Sequence, residues 1–357
     1  KSILSSENEH EAEDIVRFAY SNLAYNEAVF TRQDLLKESL LFAHGERTVS
    51  AIDNTIDKFV NSKELILAKQ DSDYGKDTVS YTTKTAIDIE KQNLKLLTRG
   101  IDEVGQLGSD SQYRNFEKRF NESEERPLME EQSNTVKQMV FSKDRFTALQ
   151  GFAGTGKSFS LKAFREFSEE RGFNVTGYAP TGQASQNLME SAGIASNTID
   201  SLLERLNKGK ELPDLTGDIW VVDEAGMANA RQMNELLNFA IKTNARIRFV
   251  GDKKQLPGVE WGRPFEQAQK DALDTFTMSN IVRQNKNEVP ELYNAVRHSI
   301  DGHSKKAFSS LKLSKSEDTG VKQLGPVKAI EASSQHYVEL IDRAITNGNS
   351  VDEAITR

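Results

Sequence analysis

At 357 residues, 37% of them hydrophobic, the chain is long enough for two or three domains with sizeable cores. It has no cysteine, which excludes disulfides, thiolate catalysis and cysteine-held metals. A net charge of −8 argues against a nucleic-acid binder until it is divided along the chain: residues 1–125 hold about 16 basic and about 24 acidic side chains, which leaves about 30 of each beyond, so a local basic groove fits the remainder.

No apolar run approaches the ~20 residues that span a bilayer, and the N-terminus is polar and acidic, unlike a secretory signal, so no membrane insertion and a cytosolic protein are expected. The chain opens on Lys1, as expected of a segment of a longer polypeptide.

Residues 7–24 place Ile15, Phe18, Ala19 and Leu23 at helical spacing. Thr31 is placed to cap a second helix, with Asp34 in its first turn and Leu35, Leu36, Leu40 and Ala43 on its apolar face. Thr48 is placed to cap a third, in which Ile52, Ile56, Phe59 and Val60 recur at i, i+4, i+7 and i+8. Residues 65–68 and 78–82 flank the turn-rich segment 71–75 and predict a hairpin. Three helices followed by a hairpin is the order of a winged helix, so a small winged-helix-like α+β domain is expected over residues 1–98. Its third helix sets Asp53 and Asp57 against Lys58 and Lys63, a poor surface for phosphates, so a spacer or protein-docking role is preferred to DNA reading.

Residues 86–120 read as helical with a break at 105–108, and 99–126 is expected to be a charged helical linker ending in the solvated run Glu122 to Arg126. A new unit starts at Pro127. Short apolar runs at 173–179, 218–222 and 246–250 alternate with amphipathic segments, which predicts an α/β domain with a parallel sheet and helices on both faces. In such sheets ligands sit at the carboxyl ends of the strands.

Two of those ends carry phosphate chemistry. Gly151-Phe152-Ala153-Gly154-Thr155-Gly156-Lys157-Ser158 fits G-x-x-x-x-G-K-[ST] between a short buried strand, 146–150, and a helix, 159–168. Glycines there let backbone N–H groups converge on phosphate oxygens, the helix start adds partial positive charge, and Lys157 reaches the β/γ-phosphates. Gly151, Gly154, Thr155, Gly156, Lys157 and Ser158 are therefore nucleotide-binding candidates, with the Ser158 hydroxyl on Mg²⁺. The apolar run 219–222 ends in Asp223 and Glu224, the first suited to Mg²⁺ and the second to accepting a proton from attacking water. Gln255, just past the run 246–250, is placed to hydrogen-bond a γ-phosphate or that water.

Residues 151–158, 222–225, 251–256 and Ile281-Val282-Arg283-Gln284, in this order and spacing, resemble motifs I, II, III and IV of superfamily 1 helicases. Gln132 resembles the upstream glutamine that reads adenine, residues 179–184 resemble motif Ia, and 197–200 the following Ib segment. Gly262-Arg263-Pro264-Phe265, the stretch 278–284 and the helix 290–300 carry the likeness further, to the helicase region of conjugative relaxase–helicases; RecD-like helicases match that stretch less well. The resemblance covers 127 to about 313 and implies a RecA-like P-loop NTPase lobe that works as a 5′-to-3′ DNA translocase. ATP and Mg²⁺ are its implied cofactors. Its implied partners are single-stranded DNA, a relaxase domain in the same natural polypeptide and the conjugative transfer machinery, in a bacterial cytoplasm. The resemblance also assigns Arg283 to the γ-phosphate, and Pro180, Thr181, Gln183 and Thr198 to the DNA backbone. Trp261, Arg263 and Phe265, in or beside these loops, are DNA candidates by stacking and phosphate neutralisation. Residues 314–357 read as a helical lead-out toward a second lobe that this chain lacks, so nucleotide binding with little unwinding is expected of it alone. The alternatives are a RecD-type repair or recombination helicase and a non-catalytic helicase-like module that grips single-stranded DNA.

Overall fold

In the computed structural model, which describes residues 2–26, 28–68, 79–152, 154–208, 217–252, 264–280, 290–300 and 302–312, the chain divides into two units, Lys1–Arg283 and Gln284–Arg357. The first unit begins with α1 (Ser2–Asn26), β1 (Phe30–Thr31), α2 (Arg32–Phe42), α3 (Val49–Asn61), β2 (Leu65–Leu67) and β3 (Ser80–Thr83). Both expected caps form: Thr31 and Asp34 make a reciprocal capping box at α2, and the Thr48 hydroxyl accepts the Ala51 N–H at α3. Ile52, Ile56 and Phe59 fall on one helical face and close a core with Val16, Phe30, Leu35 and Tyr81. The three strands pair antiparallel in the order β1–β3–β2. The turn segment 71–75 lies outside the described residues. On α3, Asp53 and Asp57 both bind Arg32, at 2.8 and 2.7 Å.

The chain continues through α4 (Lys84–Arg99), α5 (Asp110–Ser123), α6 (Glu130–Phe141), β4 (Phe146–Gly151), α7 (Lys157–Glu169), β5 (Val175–Ala179), α8 (Gly182–Ala192), β6 (Ser196–Thr198), α9 (Ile199–Asn207), β7 (Ile219–Val222), α10 (Ala230–Lys242), β8 (Arg246–Gly251), α11 (Pro264–Asp271) and β9 (Asp274–Met278). Among the described residues the last six strands form one parallel sheet in the order β6–β5–β7–β8–β4–β9. Its central strands β4, β7 and β8 are buried throughout, because alternate side chains enter two different cores. Ala148, Trp220, Val222, Ile247 and Phe249 pack with Leu97 of α4, Leu202 of α9 and Leu236 of α10. Leu149, Ile219, Val221 and Val250 pack with Val136 of α6, Phe164 of α7 and Leu188 of α8.

The charged segment 99–126 contains a helix with a buried face. Tyr113, Phe116 and Phe120 of α5 recur at helical spacing and enter the second core against Phe167, while the charges occupy the outer face. α4 is held by the buried Asn93, whose Nδ2 donates to the Ala230 carbonyl at 2.8 Å and whose Oδ1 accepts from Asn234 at 2.9 Å. The second unit contains a helical pair, α12 (Pro290–Ile300) and α13 (Ser304–Lys312), with Ala295 and Ala307 buried.

Candidate functional site

β4 ends at Gly151 and the chain turns through the glycine loop into α7, whose first residue is Lys157. Gly154 and Gly156 hold φ of 79° and 84°. That left-handed backbone costs a residue with a side chain roughly 1–2 kcal/mol, so glycine at these positions lets the loop fold over the start of α7. Thr155 is buried beneath it, its hydroxyl donating to the Phe152 carbonyl at 2.9 Å. The Lys157 ammonium lies across the loop and donates to the Gly151 carbonyl at 2.6 Å.

Gln132 stands in the first turn of α6 and is 5% exposed. Its Oε1 accepts the Met129 N–H at 3.0 Å and its Nε2 donates to the Thr155 carbonyl at 3.4 Å. One lone pair and one N–H remain on the amide, the complement of adenine's N6 amino group and N7. Gln132, Met129, Pro127 and the loop residues Gly154 to Ser158 line a cleft of about 860 Å³.

The acid pair follows β7, one strand removed from β4. The Asp223 N–H donates to the Tyr178 carbonyl and the Glu224 N–H to Asp223 Oδ1, both at 2.9 Å. Glu224 holds a φ of 48°, uncommon for a residue with a side chain and costing of order 1–3 kcal/mol. Burial pushes both carboxyls above their usual range while Lys157 opposes the rise; Asp223 raises Glu224 further, as does Asp252. Lys157, Asp223, Glu224 and Asp252, from three strand ends, thus share one electrostatic neighbourhood.

Sequence reasoning passed over Asp252. It is 8% exposed and accepts the Gln150 Nε2 at 3.1 Å. Its signal was available, since it follows β8 as Asp223 follows β7. The Ser158 hydroxyl and the Asp223 carboxylate are hard oxygen donors of the kind Mg²⁺ prefers. Among the described residues no three or more His, Cys, Asp or Glu side chains are grouped to hold a metal.

The residues expected at DNA divide. Thr181 follows β5 and caps α8, accepting the Ala184 N–H at 3.2 Å; Thr198 ends β6 and caps α9, accepting the Ser201 N–H at 3.2 Å. Ala179 and Thr198 are register partners, so Pro180, Thr181 and Thr198 gather at adjacent strand ends. Gln183 is exposed beside them, its amide donating to Asn187 at 3.1 Å. Phe265 requires a correction: it is 1% exposed and packs beside Phe249, because the apolar stripe of α11 turns it and Ala268 into the core, so it offers no face to a base. Tyr178 is buried too, its hydroxyl pushed up to about 12 chiefly by that burial. Gln255, Trp261, Arg263 and Arg283 lie outside the described residues.

A profile of the family described as an AAA domain matches residues 127–316. The chain is 32% identical over 232 residues to the conjugal transfer protein TraA of Rhizobium radiobacter, across 63% of this chain and 20% of that protein. To the multifunctional conjugation protein TraI of Escherichia coli K12 it is 26% identical over 308 residues, across 84% of this chain and 17% of that protein. To the ATP-dependent RecD2 DNA helicase of Deinococcus radiodurans it is 35% identical over 160 residues, across 44% and 22%. The chain thus spans less than a quarter of the length of each of these relatives.

Proposed function

The chain belongs to the AAA domain family, and from that premise we propose that it is the ATP-binding first motor lobe of a 5′-to-3′ DNA helicase of the conjugative relaxase–helicase type. The observation that carries this reading is the placement of Lys157, which lines the cleft walled by Gln132, and of the acid pair Asp223 and Glu224 at the carboxyl ends of strands of one parallel sheet. In it, Lys157 and the start of α7 hold the β- and γ-phosphates, and Gln132 reads the base. Ser158 and Asp223 would hold Mg²⁺, which when bound would withdraw charge from the phosphates. Glu224 takes the proton of the attacking water, Gln255 orients that water, and Arg283 offsets charge developing on the γ-phosphate.

On the DNA side, the N-termini of α8 and α9, capped by Thr181 and Thr198, present a helix-end surface suited to strand phosphates, with Pro180 and Gln183 beside them. Trp261 and Arg263 are assigned there as well, for stacking on bases and for phosphate neutralisation. The winged-helix-like residues 1–98 serve as a spacer or docking unit, with a relaxase domain in the same natural polypeptide, the conjugative transfer machinery as partner and the bacterial cytoplasm as location. No helix among the described residues is long and apolar enough to cross a membrane.

The similarity to TraI runs over 308 residues, against 160 for RecD2, and this favours the conjugative reading over a repair helicase. The presence of Lys157, Ser158, Asp223 and Glu224 favours a working motor over a module that only grips DNA. The test is polarity: the natural full-length polypeptide is expected to unwind a duplex with a 5′ single-stranded tail and to leave a 3′-tailed one intact. The reverse preference would overturn the assignment.

A further inference from the structure

The outer face of α4 carries a row of cations that the nucleotide site does not use. Ala86, Asn93 and Leu97 turn inward from this helix, Asn93 onto the start of α10. Lys84, Lys91, Lys95 and Arg99 recur at helical spacing on the opposite side, and all four are exposed. The row runs from the first residue of α4 to its last, and a helix of 16 residues is ~24 Å long. One acid, Asp88, shares that side; Glu90 is half-buried and lies off the row. The row falls within residues 1–125, where acids outnumber bases, so net charge hides it.

Ordinary uses for these charges do not account for them. Arg32, Arg119, Lys162 and Lys208 each hold a carboxylate, whereas among the described residues none of the four on α4 is in an ion pair, although Asp88 stands one turn from both Lys84 and Lys91. A cation is favourable in the last turn of a helix, which covers Arg99, and unfavourable in the first, where Lys84 stands with no acid beside it. Lys91, Lys95 and Arg99 are also like charges at successive i, i+4 positions, which weakens a helix.

A line of unpaired charge of one sign is the complement of a polyanion, whose binding releases counterions. α4 packs against α10 and α11, so it is not free to enter a duplex groove as a recognition helix does. What it offers is one line of charge, suited to one strand. α10 packs on both α4 and α9, so the row belongs to the same helical layer as the Thr198-capped end of α9. We propose that the outer face of α4 is an interaction surface for the phosphate backbone of single-stranded DNA, separate from the ends of α8 and α9, with Lys84, Lys91, Lys95 and Arg99 neutralising phosphates along it. The proposal rests on the DNA-acting part of the proposed function and not on its ATP chemistry.

The test is binding of a fluorescein-labelled oligo(dT) to this chain, read by anisotropy over a series of NaCl concentrations, with thermal unfolding of each protein. One variant carries Lys84→Gln, Lys91→Gln, Lys95→Gln and Arg99→Gln. A charge-matched control carries Lys37→Gln, Arg114→Gln, Lys118→Gln and Arg119→Gln, all at exposed positions of α2 and α5. A third carries Lys84→Arg, Lys91→Arg and Lys95→Arg and keeps the charge. Each phosphate neutralised on a single strand contributes about 0.7 to the slope of log affinity against log salt, so the α4 glutamine variant is expected to lose about 2 to 3 from that slope and about 10- to 100-fold in affinity at low salt. The control should stay within about twofold of wild type, because distant exposed charges are largely screened. The arginine variant should bind as wild type does. The α4 glutamine variant should unfold no lower than wild type, since like-charge repulsion has been removed. A wild-type chain that does not bind oligo(dT), an α4 glutamine variant that binds unchanged, a control that loses as much, a loss seen with duplex DNA only, or a loss that follows a lowered unfolding temperature would each overturn the surface. Failure of the motor reading is distinguishable, because absent ATP turnover overturns the motor without altering binding through α4.

Discussion

Lys157, Asp223 and Glu224 were legible in the sequence because each lies in a short local pattern whose chemistry admits few other uses. Asp252 was not, since its place beside Glu224 depends on β8 lying between β7 and β4, which no local pattern states. Phe265 was misread for the complementary reason: an aromatic beside a loop does not announce which face of its helix it occupies. Burial and the Asp223 charge hold Glu224 above the usual carboxylate range. A group whose pKa is higher in the folded chain than in the unfolded one adds stability that is fully present below the unfolded value and lost as pH rises through the folded value. Ionised Glu224 is therefore a cost to the fold at neutral pH. Glu224→Gln is expected to unfold at a higher temperature than wild type at pH 7, with the gap narrowing on acidification, while turnover falls about 10²- to 10⁴-fold through loss of the proton acceptor. Unfolding temperatures that coincide at every pH would show that Glu224 carries no such burden.

Elements were readable to the extent that periodicity fixed them. α2 and α3 followed from their capping residues and apolar spacing, and the central strands from short runs rich in apolar residues that alternate with helical segments. β1, two residues long, is too short to carry a period; its pairing with β3 fixes it. The sequence suggested a charged helical linker for residues 99–126, and the aromatic stripe of α5 gives that segment a buried face. Arg248 is a similar case, a charged residue in β8 that is 1% exposed, its guanidinium donating to main-chain carbonyls of Asp144, Arg145 and Met139. Burial lowers it to about 9. If α5 is part of the motor core, Phe116→Ala should destabilise the fold by ~3–5 kcal/mol, the range for large-to-small core substitutions, read as a lowered denaturant midpoint. A change within about 0.5 kcal/mol, typical of surface substitutions, would return α5 to the status of a linker.

At the scale of the whole chain, the parallel sheet brings the glycine loop, the acid pair and Asp252 to its carboxyl edge. α4 runs directly from β3 of the first sheet, and its Asn93 is clasped to the start of α10, which follows the acid pair. The N-terminal elements and the nucleotide site are thereby joined through one helix. The α/β class and the position of the site were foreseeable, since strand ends and glycine loops are local; the strand order was not, because it is set by contacts between segments far apart in sequence.

The measurement that tests the proposed motor most directly is ATP turnover with and without single-stranded DNA, for this chain and for the natural full-length polypeptide, each beside its Glu224→Gln variant. DNA-stimulated turnover by the full-length protein, abolished by Glu224→Gln, is the expected result, with nucleotide binding and little turnover by this chain alone. A full-length protein that binds DNA and never hydrolyses ATP would contradict it, and would make the lobe a DNA-gripping module.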